Sequence, residues 1–347
     1  MKLRLSIALL CCLLIGVGVS GCVAAPTYQG PVSDHFDGDV FRNTVPSDKG
    51  LWDLLRLGWG SLVKAERWPG SVASRAYAPP GAHNQSGIRV TYINHATVLI
   101  QVQGVNILTD PIYSQRASPF NWAGPKRVRQ PGIALADLPP IDVVLISHNH
   151  YDHLDAATLL ALAEQQETPP LILAGLGNGA YFTELGLASY RDMDWQQVET
   201  VRDIDFHFVE CRHRSGRGIS DQMKTLWGSF VIQTQAGNIY FAGDTGYGPH
   251  FQQQAQQFGS FALTILPIGA YEPRWFMADV HLNPAEAVRV HQELNSRHSL
   301  GIHFGVFQLT YEGIDQPILD LQQALRSAEL PDSAFWVLEP GDSRHIH

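Results

Sequence analysis

The rhythm of hydrophobic and polar positions changes near residue 88. From there, short apolar and β-branched blocks at 88–93, 97–102 and 105–108, with Gly104 at a turn, predict three strands. The run 141–146 is largely apolar and reads as a buried strand. A helix is expected over 155–165 with Asp155 as its N-cap, then a strand at 171–174 and a helix at 179–185. Further strands are expected at 206–210, 226–233, 238–242 and 263–267. The helix over 284–294 is well signalled: Asn283 stands at the cap, Pro284 at the first helical position and Glu286 three residues after the cap. Strand 299–303 and helix 317–326 complete the pattern. Two strand-rich halves, each with helices, predict two sheets packed face to face with helices outside. The expected fold is therefore α/β, a four-layer αββα sandwich forming one domain over 87–347.

Residues 22–86 read differently. They are rich in Gly, Pro, Ser and Asp, and suggest a tether followed by an N-terminal wrap. Within them, 51–59 places apolar residues at helical spacing. That helix either packs on the main domain or faces lipid. At the start, Lys2 and Arg4 precede an apolar run, 5–19, and then Ser20-Gly21-Cys22, the layout of an export leader over 1–21. The run is too short and too early for a spanning helix. Val19-Ser20-Gly21-Cys22 resembles the bacterial lipobox. That resemblance implies cleavage before Cys22 and acylation of it, and Val23 after the cysteine points to the outer membrane, facing the periplasm. Plain secretion is the alternative. Cys11 and Cys12 leave with the leader, so Cys211 stays as a lone thiol and the core must carry stability without a disulfide. With 45% hydrophobic and 16% charged residues, that core is ample. A net charge of -9 argues against binding a nucleic-acid backbone.

The chemistry concentrates in Ser147-His148-Asn149-His150-Tyr151-Asp152-His153-Leu154-Asp155, directly after the predicted strand 141–146. On an extended chain, alternate side chains point the same way, so His148 and His150 share one direction. Once the chain turns, Asp152 and His153 face a second point nearby. Imidazole and carboxylate are ligands that zinc and similar first-row metals accept. Three more candidates stand at strand ends: His213, Asp244 and His303. Seven ligands are too many for one tetrahedral zinc and suit two metals sharing a bridging carboxylate.

That ordered set resembles the metallo-β-lactamase fold superfamily. The resemblance implies a dinuclear site: His148, His150 and His213 on one metal, Asp152, His153 and His303 on the other, with Asp244 and a hydroxide bridging. Two divalent ions, zinc first and iron or manganese as alternatives, are the implied cofactors. Four blocks are similar to the N-acyl-phosphatidylethanolamine-hydrolysing phospholipases D: 148–155, Leu226-Trp227-Gly228-Ser229, 241–247 and 267–277. The likeness covers about Val90 to Phe307. It implies a phosphodiesterase that releases phosphatidic acid and an N-acylethanolamine, with His281 facing the metals and handling phosphate. His281, Asp152 and Asp244 are the expected catalytic groups. The stretch just before His281 departs from the mammalian pattern, as does the N-terminal region, which leaves substrate choice open. A lactone or β-lactam hydrolase is one alternative, and a non-catalytic surface lipoprotein is another. Expected partners are a phospholipid or other small molecule, a membrane reached through lipidated Cys22, and a second copy in a homodimer.

Supporting roles follow from position. Asp110 and His95 are candidates to orient ligand imidazoles. Cys211 reads as a small buried residue, Glu272 and Arg274 as an ion pair, and 126–129 as a solvated or headgroup-facing basic face.

Overall fold

The computed structural model describes residues 25–46, 49–75 and 77–347. The expected leader and Cys22 lie outside the described residues. Two seven-stranded sheets make the frame. The first holds β1 (Ile88–Asn94), β2 (Thr97–Val102), β3 (Val105–Thr109), β4 (Val143–Ile146), β5 (Leu171–Gly175), β6 (Tyr190–Met193) and β14 (Ser343–Ile346), in the order β14-β1-β2-β3-β4-β5-β6. The second holds β7 (Val198–Val201), β8 (Ile204–Val209), β9 (Ser229–Thr234), β10 (Gly237–Phe241), β11 (Phe261–Pro267), β12 (Ser296–Ile302) and β13 (Phe335–Trp336), in the order β13-β12-β11-β10-β9-β8-β7. Each sheet has three antiparallel and three parallel pairings.

The helices close both outer faces. Against the first sheet lie α2 (Ala156–Gln165) and α3 (Asn178–Glu184), which bury Leu159, Leu162 and Phe182 over Val144, Ile146 and Ile172. Against the second lie α4 (His250–Phe258), α6 (Pro284–Glu293) and α7 (Gln316–Ser327), which bury Phe251, Val288 and Leu321 over Tyr240 and Leu266. Between the sheets, Val90, Ile100, Val143 and Leu173 meet Phe206, Phe230, Ile239 and Ile265. A sheet covered on both faces needs apolar residues on both, which is why β2 and β4 are buried along their whole length. The αββα expectation holds.

Local details differ from the reading of the sequence. β9 begins at Ser229, because Leu226 and Gly228 hydrogen-bond across to Leu176 and Ser147 on the first half. β12 stops at Ile302, where His303 turns to φ 64°. Asp155 does occupy the cap position of α2, but its carboxylate takes Tyr113, Ser114 and Thr158 instead of the helix backbone.

The N-terminal residues form a strap and a helix. Residues 25–46 cross the second half: Tyr28 N–H donates to Lys224 and Phe41 N–H to Met223, while Phe36 and Phe41 join the core between the sheets. Helix α1 (Leu51–Val63) rests Leu57 against Phe276, Met277 and Val280, around the short helix α5 (Arg274–Met277). No described helix is long and apolar enough to cross a membrane.

Candidate metal centre

All seven ligand candidates and His281 converge where β4, β8, β10 and β12 end. The chain runs straight from β4 into Ser147 and His148, and its first turn bonds His153 N–H and Leu154 N–H back to the His150 carbonyl. Arg217 clasps this loop by donating to the Asn149 and Leu154 carbonyls, while its guanidinium lies 3.9 Å from the Tyr151 ring. Asp244 reaches the same point because Gly243 before it adopts φ 59° and packs so close to Ser147 that a Cβ would collide with it.

Two donor sets result. In the first, His150 Nδ1 lies 2.7 Å from His148 Nε2 and 3.4 Å from His213 Nε2. In the second, His153 Nε2 is 3.2 Å from His303 Nε2, 3.3 Å from Asp152 Oδ2 and 3.1 Å from Asp244 Oδ2. His303 Nε2 is 3.2 Å from each of the same two oxygens. Asp244 Oδ2 also lies 3.8 Å from His213 Nε2 and 3.9 Å from His281 Nδ1, so it joins the sets.

Neighbours fix the tautomers. His153 Nδ1 donates to Asp110 Oδ2 at 2.6 Å, and Asp110 also accepts Ser147 N–H and Oγ–H. Because the Ser147 hydroxyl proton goes to Asp110, its oxygen accepts from His148 Nδ1 at 2.9 Å. His213 Nδ1 donates to the Val280 carbonyl. Each of these three rings therefore aims its Nε2 at the centre, bare on His148 and His213. His95 Nε2 lies 3.0 Å from Asp152 Oδ2. Both Asp110 and His95 thus touch the ligand set. His95, Asp110 and His303 all have positive φ, strain of a kind that gathers at functional sites.

Burial sets the charge states. It holds His148, His150 and His281 well below the usual imidazole range and His213 down to about 4. Around His153 burial acts the same way but is outweighed by Asp244, Asp152 and Asp110, which hold it well above that range; His303 is likewise pushed up to about 9. Burial opposes ionisation of Asp152 and Asp244 too, yet the facing histidines hold both well below the carboxylate range. Around the second set the carboxylates thus favour positive charge, while around the first burial keeps the imidazoles neutral.

The donor sets fit divalent cations. Zinc bonds of about 2.0–2.1 Å put tetrahedral ligands about 3.3 Å apart, close to the 3.1–3.3 Å spacings of the second set. Asp244 Oδ1 and His281 Nδ1 are buried without a hydrogen-bond partner, as expected of atoms built to face a ligand.

Several supports escaped the sequence. Ser147, Arg217 and Val280 carried no motif of their own. Asn43 pairs with the His213 backbone from 170 residues away. Two expectations need correction. The Arg274 guanidinium pairs with Glu286 at 2.8 Å and its other arm donates to the His281 carbonyl, while the Glu272 carboxylate accepts the Arg274 backbone N–H instead. Arg127 is buried over Phe307 and donates to Asn94, Ile112 and Ser114, so 126–129 is no continuous basic face. Packing claims it because the Arg127 backbone bridges to Phe307, just past His303. Cys211 is buried, in keeping with its sequence context.

Two packed sheets with a histidine–carboxylate centre on one rim define a metal-dependent hydrolase of the metallo-β-lactamase fold. The chain belongs to the beta-lactamase superfamily domain family, whose model matches residues 105–304. It is 39% identical to an uncharacterized protein of Mycobacterium tuberculosis (strain ATCC 25618 / H37Rv), over 92% of this chain and 85% of that one. It is 35% identical to N-acyl-phosphatidylethanolamine-hydrolyzing phospholipase D 1 of Caenorhabditis elegans, over 75% and 76%. Among solved structures, the metallo-beta-lactamase fold protein YhfI from Bacillus subtilis superposes with a TM-score of 0.53 at 16% identity, covering 75% of this chain and 99% of that one.

Proposed function

We propose that the protein is a dinuclear phosphodiesterase of phospholipase D type, hydrolysing N-acyl-phosphatidylethanolamine or a related phospholipid to phosphatidic acid and N-acylethanolamine. The observation that carries this reading is the pair of donor sets joined through Asp244 Oδ2. His148, His150 and His213 would hold one cation, Asp152, His153 and His303 the other, and Asp244 both. Two bound divalent cations, zinc by ligand chemistry, would supply a water acidified to near neutrality and positive charge for phosphodiester oxygens. The protein's own part is positioning. Asp110, Ser147 and Val280 hold the rings by Nδ1 in orientations that aim Nε2 at the cation positions. His281, kept neutral by burial, can donate one ring N–H to a phosphoryl oxygen beside Asp244. Arg274 holds it in place through its carbonyl.

A lipid substrate is supported by the surface near His281. Helix α1 packs Leu57 on Met277 and Val280 and turns Trp52, Trp59 and Val63 outward, 83%, 72% and 64% exposed. These three fall on one helical face, the composition of an interfacial helix. The similarity to the nematode phospholipase D points the same way. With the leader and lipobox, we read the chain as exported and anchored at Cys22, in the outer membrane on the periplasmic side.

The test is product analysis. Zinc-loaded protein is incubated with N-acyl-phosphatidylethanolamine in detergent and the products are read by mass spectrometry. Phosphatidic acid with N-acylethanolamine is expected, and neither in His150→Ala. Unchanged lipid from protein holding two zinc equivalents would overturn the phospholipid reading and favour a lactone.

A further inference from the structure

We infer that Asn43 is a positioning residue for the ligand His213, which makes the N-terminal strap a working part of the metal centre. This rests on the dinuclear reading above.

The Asn43 amide treats His213 as a neighbouring strand would. Its Nδ2 donates to the His213 carbonyl at 2.7 Å, and its Oδ1 accepts the His213 N–H at 3.1 Å. The same Oδ1 accepts Trp227 Nε1–H at 3.2 Å, and that indole, fully buried, also donates to the Cys211 carbonyl. Asn43 is thereby pinned to the core from one side while it grips His213 on the other.

His213 needs that grip. It lies beyond the end of β8, where the regular pairing nearby among the described residues is an isolated bridge between Arg212 and Gly246. His213 is 1% exposed, so in the folded protein its backbone relies on Asn43 for these two bonds. A buried peptide left without partners would rotate to find them, and the rotation would swing Nε2 away from His148 and His150. Those two ligands differ, because they sit on the loop that Ser147 and Arg217 already fix. The strap is fastened close to Asn43 and further back along the chain, at Phe41–Met223 and Tyr28–Lys224, so it is held across the segment that carries His213.

Zinc titration of the metal-stripped full chain against a competing chelator tests this. Wild type should take two equivalents. Asn43→Ala should keep one at unchanged affinity and bind the other about tenfold more weakly or worse. The weakened equivalent should be the one missing from His150→Ala. Ile239→Ala, truncated in the core between the sheets, should lower the melting temperature yet keep both equivalents. Asn43→Asp keeps the acceptor for Trp227 and hence the strap's attachment; it must weaken the same equivalent even if the alanine variant fails to fold. Two equivalents at native affinity in Asn43→Asp, or a parallel loss in Ile239→Ala, would overturn the assignment. Fewer than two equivalents in wild type would instead sink the dinuclear reading.

Discussion

At the scale of single residues, the centre depends on groups that touch no cation. Asp110 takes the proton side of His153 and two bonds from Ser147. Asp110→Asn should weaken binding at the His153 site by about 10- to 100-fold, read by chelator competition. A pH effect belongs to His250, which burial and then Arg212 push down to about 3. In the unfolded chain it takes a proton near pH ~6.5. Its share of stability is therefore complete above that pH and is lost as pH falls toward 3. Comparing wild type with His250→Gln by urea melts at pH 7.5 and pH 5.0 should show the variant gaining about 2 kcal/mol relative to wild type on acidification. An equal response to acid in both would refute it. Four of the seven candidate ligands were legible together because their spacing within 148–153 is local, and His213, Asp244 and His303 as polar residues at strand ends. Asp110 and His95 were legible as polar residues beside strands. Asn43 and Ser147 were not, since an asparagine or serine acquires its meaning only from the backbone folded against it.

At the scale of elements, α6 shows how a local signal couples to the site. Asn283 Oδ1 accepts the Glu286 N–H, and the Glu286 carboxylate returns to the Asn283 N–H while also holding Arg274. Asn283→Ala should cost about 1 kcal/mol in a urea melt. Arg274→Met reaches further, because it frees the His281 carbonyl. On the proposed lipid it should lower kcat by about tenfold or more while both zinc equivalents remain; unchanged turnover would remove Arg274 from the positioning of His281. Cap, proline and capping-box residues make this helix readable from its own ten or so positions. Strands β6, β7 and β14 were not readable. They are short, polar and partly exposed, with Arg191, Glu199 and His345 among them, and they are strands because a neighbour offers an edge.

For the whole molecule, the two halves meet at one set of ligands: the first sheet supplies His148 to His153, the second His213, Asp244 and His303. Any cation bound there ties the halves together and stabilises the native state. At free zinc 100 times Kd each site should add about 2.7 kcal/mol, so chelation should lower the melting temperature by several degrees, visible by calorimetry. The sandwich was foreseeable from two stretches of strand rhythm, whereas the strap's engagement with the far half was not, because it is written in contacts between distant positions. The first sheet carries a similar long-range dependence: β1 is completed by β14, with Ile88 opposite Ile346. A ribosome adding roughly 5–20 residues per second leaves the open edge of β1 waiting on the order of tens of seconds for its partner. Throughout that interval the nascent chain displays an unfinished apolar sheet, whose open edge invites unwanted pairing until β14 has emerged.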